Sequence, residues 1–258
     1  MKIAILTLPP RENYGGILQC YALQNTLERM GHKVTIIDEP YKANQILFFQ
    51  MALRICKRVI YKYILRKNCH IFIERDMERL RLTIRQHLDR FMQQYLHRKI
   101  YPTVSDIKEN EYDAFIVGSD QIWRYKYYQP IDNAFLAFAK SWQIKRISYA
   151  ASFGIDFWDY SKTDTEKCKE AAKLFDAISV REESGVYLCK KYLNVDAQWV
   201  IDPTMLLQKE DYEKLIDNYK TPPCKGNLFC YILDSTPDKE SLIRQIANEK
   251  KLVPFAMT

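Results

Sequence analysis

Lys2-Ile3-Ala4-Ile5-Leu6-Thr7-Leu8, the turn-rich Pro9-Pro10-Arg11-Glu12-Asn13-Tyr14-Gly15-Gly16, the stretch Ile17 to Met30 and then Val34-Thr35-Ile36-Ile37-Asp38 decide the fold. The first run is apolar on both alternating sets of positions, as in a parallel strand buried on both faces. Apolar residues at 17, 18, 21, 22, 27 and 30 form a helical stripe, and Gly31 stands where a helix ends on a left-handed residue. Val34 to Ile37 is a second strand closed by Asp38. A strand–loop–helix–strand unit opens a doubly wound α/β domain.

Outward from that unit, Gln45 to Arg98 contains no Gly or Pro and is rich in Leu, Ile, Arg and Lys. It reads as two or three inserted helices. Strands resume at Asp113–Val117, Arg146–Ala150, Ala177–Val180 and Gln198–Ile201, with helices at Thr163–Phe175 and Glu183–Leu193. Lys209–Asn218 reads as a connecting helix and Thr221–Gly226 as a linker. Leu228–Leu233, Asp238–Lys250 and Leu252–Met257 restart the alternation as strand, helix and strand. The expected organisation is a Rossmann-like domain over 1–207 with a basic helical insertion at about 45–99. A connecting helix and linker follow at 208–226, and the start of a second α/β domain, incomplete in this chain, at 227–258. Two strands and a helix bury too little to fold as a doubly wound domain of their own.

The chain has 258 residues, 47% hydrophobic and 28% charged, which suits a chain with a substantial core. Its net charge of +7 is concentrated: residues 41–100 carry fourteen Lys/Arg against four Asp/Glu. The N-terminal apolar run is too short for a signal peptide, and no apolar run approaches eighteen residues. The expected location is cytoplasmic. The seven Cys contain no CxxC pair and read as reduced core thiols; the four His lack ligand spacing, so no metal site and no cofactor are expected.

Several loops carry residues suited to chemistry. Gly15-Gly16 between strand and helix lets backbone N–H groups approach an anion or sugar, or else supplies positive φ for a turn. Asn13 and Gln19 could bond sugar hydroxyls. In Val117-Gly118-Ser119-Asp120-Gln121-Ile122-Trp123, Asp120 follows a buried strand and could take a proton from a hydroxyl nucleophile. The alternative is a helix N-cap by Ser119 or Asp120. Trp123 either stacks on a sugar ring or packs. Ser148-Tyr149-Ala150-Ala151-Ser152-Phe153-Gly154 ends a strand in small residues, leaving room for a ligand or for close packing. Ile178-Ser179-Val180-Arg181-Glu182 places a guanidinium after a strand, suited to phosphate or carboxylate, or to a salt bridge with Glu182, Glu183 or a neighbouring element.

These segments, with Val200-Ile201-Asp202-Pro203-Thr204, occur in an order that resembles the N-terminal domain of the polysaccharide pyruvyl transferase family over residues 1 to about 207. The resemblance implies two Rossmann-like domains facing across a cleft, a glycosyltransferase-B-like architecture. It implies phosphoenolpyruvate as donor and a sugar or polysaccharide hydroxyl as acceptor, lipid-linked precursors included. It implies a donor- and acceptor-binding set of Asn13, Tyr14, Gly15, Gly16, Gln19, Ser119, Gln121, Ser152 and Arg181, with Asp120 as base. A catalytic His is expected in the C-terminal domain, and no His follows His97 here, so the general acid is unassigned.

Two other readings stay open. One is a nucleotide-sugar-dependent glycosyltransferase of the same architecture. The other is a non-catalytic module whose basic helices, with Phe48-Phe49 beside Arg54, Lys57 and Arg58, meet an anionic membrane surface at the inner membrane face. The same helices could equally cover the sheet and show a solvated basic face. Nucleic acid is not an expected partner, since the basic residues form no recognition motif.

Overall fold

The computed structural model describes residues 1–40, 55–58, 61, 85–217, 225–232 and 234–256. The chain divides into two compact units, Met1–Leu207 and Gln208–Thr258. Among the described residues, the first unit holds one seven-stranded sheet. Its strands are β1 (Lys2–Leu6), β2 (Lys33–Asp38), β3 (Arg98–Ile100), β4 (Ala114–Val117), β5 (Lys145–Ala151), β6 (Ala177–Val180) and β7 (Gln198–Trp199). The order is β3-β2-β1-β4-β5-β6-β7, and every neighbouring pair is parallel. This is a doubly wound Rossmann-like sheet. Strand order reverses between β1 and β4, the place where such sheets open a crevice at their carboxyl ends.

Period-two alternation on both faces makes the central strands. Ile3 and Ile5 of β1 and Ala114 and Ile116 of β4 pack toward helix α1 (Tyr14–Arg29), with its Ile17, Cys20, Leu23 and Leu27. Ala4, Leu6, Phe115 and Val117 face the opposite core, together with helices α3 (Lys162–Ala172) and α4 (Glu183–Leu188). A helix over 85–95, α2, adds Leu88 and Met92 to the α1 face. Each buried aliphatic side chain contributes roughly 1.5–3 kcal/mol relative to exposure. Cys20, Cys168 and Cys189 are free thiols inside this core. Among the described residues no helix is long and apolar enough to cross a membrane.

The structure departs from the sequence reading in two places here. Helix α1 begins at Tyr14 rather than Ile17, because the Asn13 side chain caps it by accepting from the Gly15 N–H at 3.0 Å. Arg98, read as the end of the helical insertion, lies in β3, a three-residue edge strand too short and too charged to show a pattern. Most of the expected insertion, at 45–54, 59–60 and 62–84, and the linker residues 221–224 lie outside the described residues.

The second unit contains α5 (Lys209–Asp217), β8 (Leu228–Phe229), α6 (Pro237–Lys250) and β9 (Pro254–Phe255), with β8 parallel to β9. Thr236 caps α6 with Pro237 at its first position, and Lys251 ends it at φ +53°.

Candidate functional site

The loops that follow β1, β4, β5 and β6 meet at the carboxyl edge of the sheet. Gly16, in the first turn of α1, has no side chain, and that lets Asp120 come close: a Cβ on Gly16 would stand 3.2 Å from Asp120 Oδ2. Neither Gly15 nor Gly16 has a positive φ, so the turn explanation for the pair fails. Tyr14 and Gly15 are exposed beside them.

Gln19 is buried and joins the β1 loop to the β4 loop. Its Nε2 donates to Thr7 Oγ1 at 3.2 Å and to the Gly16 carbonyl at 2.9 Å, while its Oε1 accepts from the Ser119 N–H at 2.9 Å. The amide is satisfied within the protein.

Ser119 and Asp120 cap no helix, because residues 120–123 make turns. Asp120 holds φ +52°, a left-handed conformation that Asp tolerates better than most residues. Its carbonyl accepts from the Ser152 N–H at 2.9 Å, which ties the β4 loop to the β5 loop. Gly118, at φ +121°, runs so close to β5 that a Cβ would fall 2.2 Å from the Tyr149 carbonyl oxygen.

The small residues Ala150 and Ala151 serve packing. Ala150 sits at φ +50° in a bulge between Ser148 and Ala151. One extra residue flips the side-chain alternation. Ile147 and Tyr149 face the α1 side, whereas Ala151 joins the opposite core. The bulge brings Ser152 to the edge, where its hydroxyl donates to Glu182 Oε1 at 3.0 Å. That carboxylate also accepts from Phe153 N at 2.7 Å and Gly154 N at 3.3 Å. Gln121 lies against Gly154, whose φ of +67° keeps the turn tight.

Arg181 pairs with neither Glu182 nor Glu183. Its Nη1 donates to Asp202 Oδ2 at 3.1 Å, and its Nη2 stands 4.0 Å from Asp120 Oδ1. Ser119 Oγ donates to the same Asp202 oxygen at 3.2 Å. Asp202 Oδ1 accepts from the Thr204 N–H at 3.0 Å and the Thr204 hydroxyl at 2.8 Å. Burial works against ionisation of Asp202, but the Thr204 donors and the Arg181 guanidinium outweigh it and hold the carboxyl below the usual range. Burial and the Asp202 charge push the Tyr149 phenol up. Two carboxylates therefore share one guanidinium, and Arg181 remains partly exposed. Trp123 is wholly buried, its Nε1–H donating to the Ala134 carbonyl at 3.0 Å, so it packs and does not face a ligand. Among the described residues no cluster of His, Cys, Asp or Glu could hold a metal ion.

The family model of polysaccharide pyruvyl transferases matches residues 13–253. The chain belongs to the polysaccharide pyruvyl transferase family. The crystal structure of Arabidopsis thaliana UGT89C1 complexed with UDP-L-rhamnose is similar at 11% identity and a TM-score of 0.38, covering 98% of this chain and 63% of that one. This chain thus spans less than two thirds of that protein's length. No curated protein matches the chain.

In this pyruvyl transferase family member, Gly16, Gln19, Ser119, Asp120, Ser152 and Arg181 lie at one edge of the sheet, where the sequence reading expected their loops to gather. It gave no site role to Asp202 or Glu182. Asp202 was visible as an Asp-Pro-Thr step after a short strand, the usual form of a side-chain-capped turn. Glu182 carried no signal apart from its place after Arg181.

Proposed function

We propose that the chain takes part in transferring a pyruvyl group from phosphoenolpyruvate to a sugar hydroxyl, forming a ketal on a cell-surface polysaccharide or its lipid-linked precursor. The observation that carries this reading is the pairing of Asp120 with Arg181 at the topological switch point, in a chain of this family. In this reaction the methylene carbon of the donor is protonated, the hydroxyl attacks the second carbon and phosphate leaves. A second hydroxyl then closes the ketal. Asp120 takes the proton of the attacking hydroxyl. Arg181, anchored by Asp202 and standing 4.0 Å from Asp120, offers its exposed edge to the donor's carboxylate or phosphate. Gln19 and Glu182 fix the loops that carry Asp120 and Ser152. The general acid is not assigned to any residue of this chain. The basic segment 41–100 is the part of the chain suited to an anionic membrane surface.

Phosphate release from phosphoenolpyruvate in the presence of a saccharide acceptor tests this reading. Asp120→Asn lowers turnover at least about a hundredfold and leaves the thermal midpoint unchanged. Full activity in that variant would remove Asp120 from the chemistry. Turnover that requires a nucleotide sugar in place of phosphoenolpyruvate would replace the donor.

A further inference from the structure

Strand β1 lies between β4, which leads to Asp120, and β2. On the β2 side, the carboxyl ends of β1 and β2 border an open cavity of about 430 Å³, with Lys126 and Tyr127 across it. Its floor is rigidly built. Arg11 donates from Nη2 to the Glu39 carbonyl and stands 3.6 Å from Asp38 Oδ1. Asp38 is buried, and its other oxygen accepts from Arg98 Nη1 at 2.9 Å. Both oxygens of the Glu39 carboxylate are engaged, by Val104 N at 3.3 Å and by the Tyr128 hydroxyl at 2.6 Å. Burial and the Glu39 charge push the Tyr128 phenol up, so it remains the donor.

The Glu39 carboxylate is fully engaged, whereas buried Asp38 Oδ1 has no hydrogen bond and only the Arg11 ion pair. Arg11, Arg98 and Lys126 bring three positive charges to this corner against the two negative ones of Asp38 and Glu39. Lys126 is exposed, and the Tyr127 ring is 60% exposed at the rim. An aromatic face offered to solvent beside two cations suits a ligand with an apolar ring face and an attached anion. Sugars with a carboxylate or phosphate substituent have that form.

We propose that this cavity binds an anionic saccharide, its ring against Tyr127 and its carboxylate or phosphate at Lys126 and Arg11. The proposal rests on the pyruvyl-transfer reading for its meaning: the cavity would hold the part of the acceptor next to the hydroxyl presented to Asp120. The binding itself requires no phosphoenolpyruvate.

The test uses the protein as it stands, with glucuronic acid, glucose 1-phosphate and glucose as probes, followed by saturation-transfer NMR and titration. At least one anionic probe binds, and glucose binds about tenfold more weakly, since a charge-assisted contact is lost. Binding weakens as salt rises. Tyr127→Ala and Lys126→Gln each weaken the anionic probe about tenfold without moving the thermal midpoint, because both side chains are exposed. Preference for glucuronic acid identifies a carboxylate-bearing acceptor, and preference for glucose 1-phosphate a phosphate-linked one. Equal binding of glucose, binding that neither variant alters, or no binding of any probe overturns the proposal. Anionic-probe binding without turnover of phosphoenolpyruvate would retain the cavity and reject the pyruvyl reading. Turnover whose KM for acceptor ignores both variants would do the reverse.

Discussion

The polar cluster around Asp120 and the buried aromatic cluster around Trp123 are drawn from the same short stretches of chain, and they differ in what holds them. Asp120, Ser152, Arg181 and Asp202 are fixed by directed bonds between loops; Ser152 is buried, and the other three keep partial exposure to solvent. Trp123 and Phe153, within three residues of Asp120 and one of Ser152, are fixed by shape. Trp123 stacks on Phe135 at 4.7 Å and 9°, and Phe153 packs on Trp123 at 5.3 Å. The Tyr160 hydroxyl donates to the Trp123 carbonyl, and Tyr160 packs on Trp158 at 4.2 Å. Likeness to a family over Val117–Trp123 therefore mixes two constraints, one on chemistry and one on volume. The aromatic cluster sets where the polar loop can lie.

The contrast breaks first at Trp123. Trp123→Ala removes a fully buried indole, leaves the Ala134 carbonyl without its donor and destabilises the fold by about 3–5 kcal/mol. Whole-domain stability is typically about 5–15 kcal/mol, so the urea midpoint falls sharply and activity falls with it. Asp120→Asn is the counterpart, with activity lost and the midpoint kept. A midpoint unchanged in Trp123→Ala would mean that the two clusters are not divided as described.

Asp202 sharpens the same contrast through pH. Its carboxyl ionises more readily in the folded chain than in the unfolded one. A depressed folded pKa contributes stability that is present above the unfolded carboxylate range and is lost as pH falls through the folded value. Asp202→Asn therefore has a lower urea midpoint than the parent at neutral pH, and the gap narrows as pH drops below the ordinary carboxylate range. Parallel pH profiles for the two proteins would mean that the Arg181 and Thr204 bonds contribute nothing to folding.

Strand positions and the gathering of loops were legible because buried parallel strands are near-continuous apolar runs and their carboxyl ends face one way. Which face each loop residue takes was not. The bulge at Ala150 rests on a backbone conformation that an Ala-Ala pair does not announce, and it reverses the sidedness of everything after it. The partner of Arg181 was equally hidden, because Asp202 lies 21 residues on and reaches it only through the β6–β7 pairing. Gly15 and Gly16 were read as a loop because the N-cap at Asn13 lies before the first apolar helical position.

Gly16 gives the smallest and most discriminating effect. In a helix, Ala is favoured over Gly by up to about 1 kcal/mol, and Gly16 already has helical backbone, so Gly16→Ala has no φ strain to meet. Its new methyl would instead stand 3.2 Å from Asp120 Oδ2 and 3.6 Å from Asn13 Cβ. The carboxylate must move by a few tenths of an ångström, and its backbone cannot follow, because the Asp120 carbonyl is bound to Ser152 N. The urea midpoint therefore stays level or rises slightly while turnover drops several-fold, since small misplacements of a catalytic group are felt strongly. A fall in both would make Gly16 a packing residue like Trp123. A rise in midpoint with turnover intact would place the reacting hydroxyl away from Asp120.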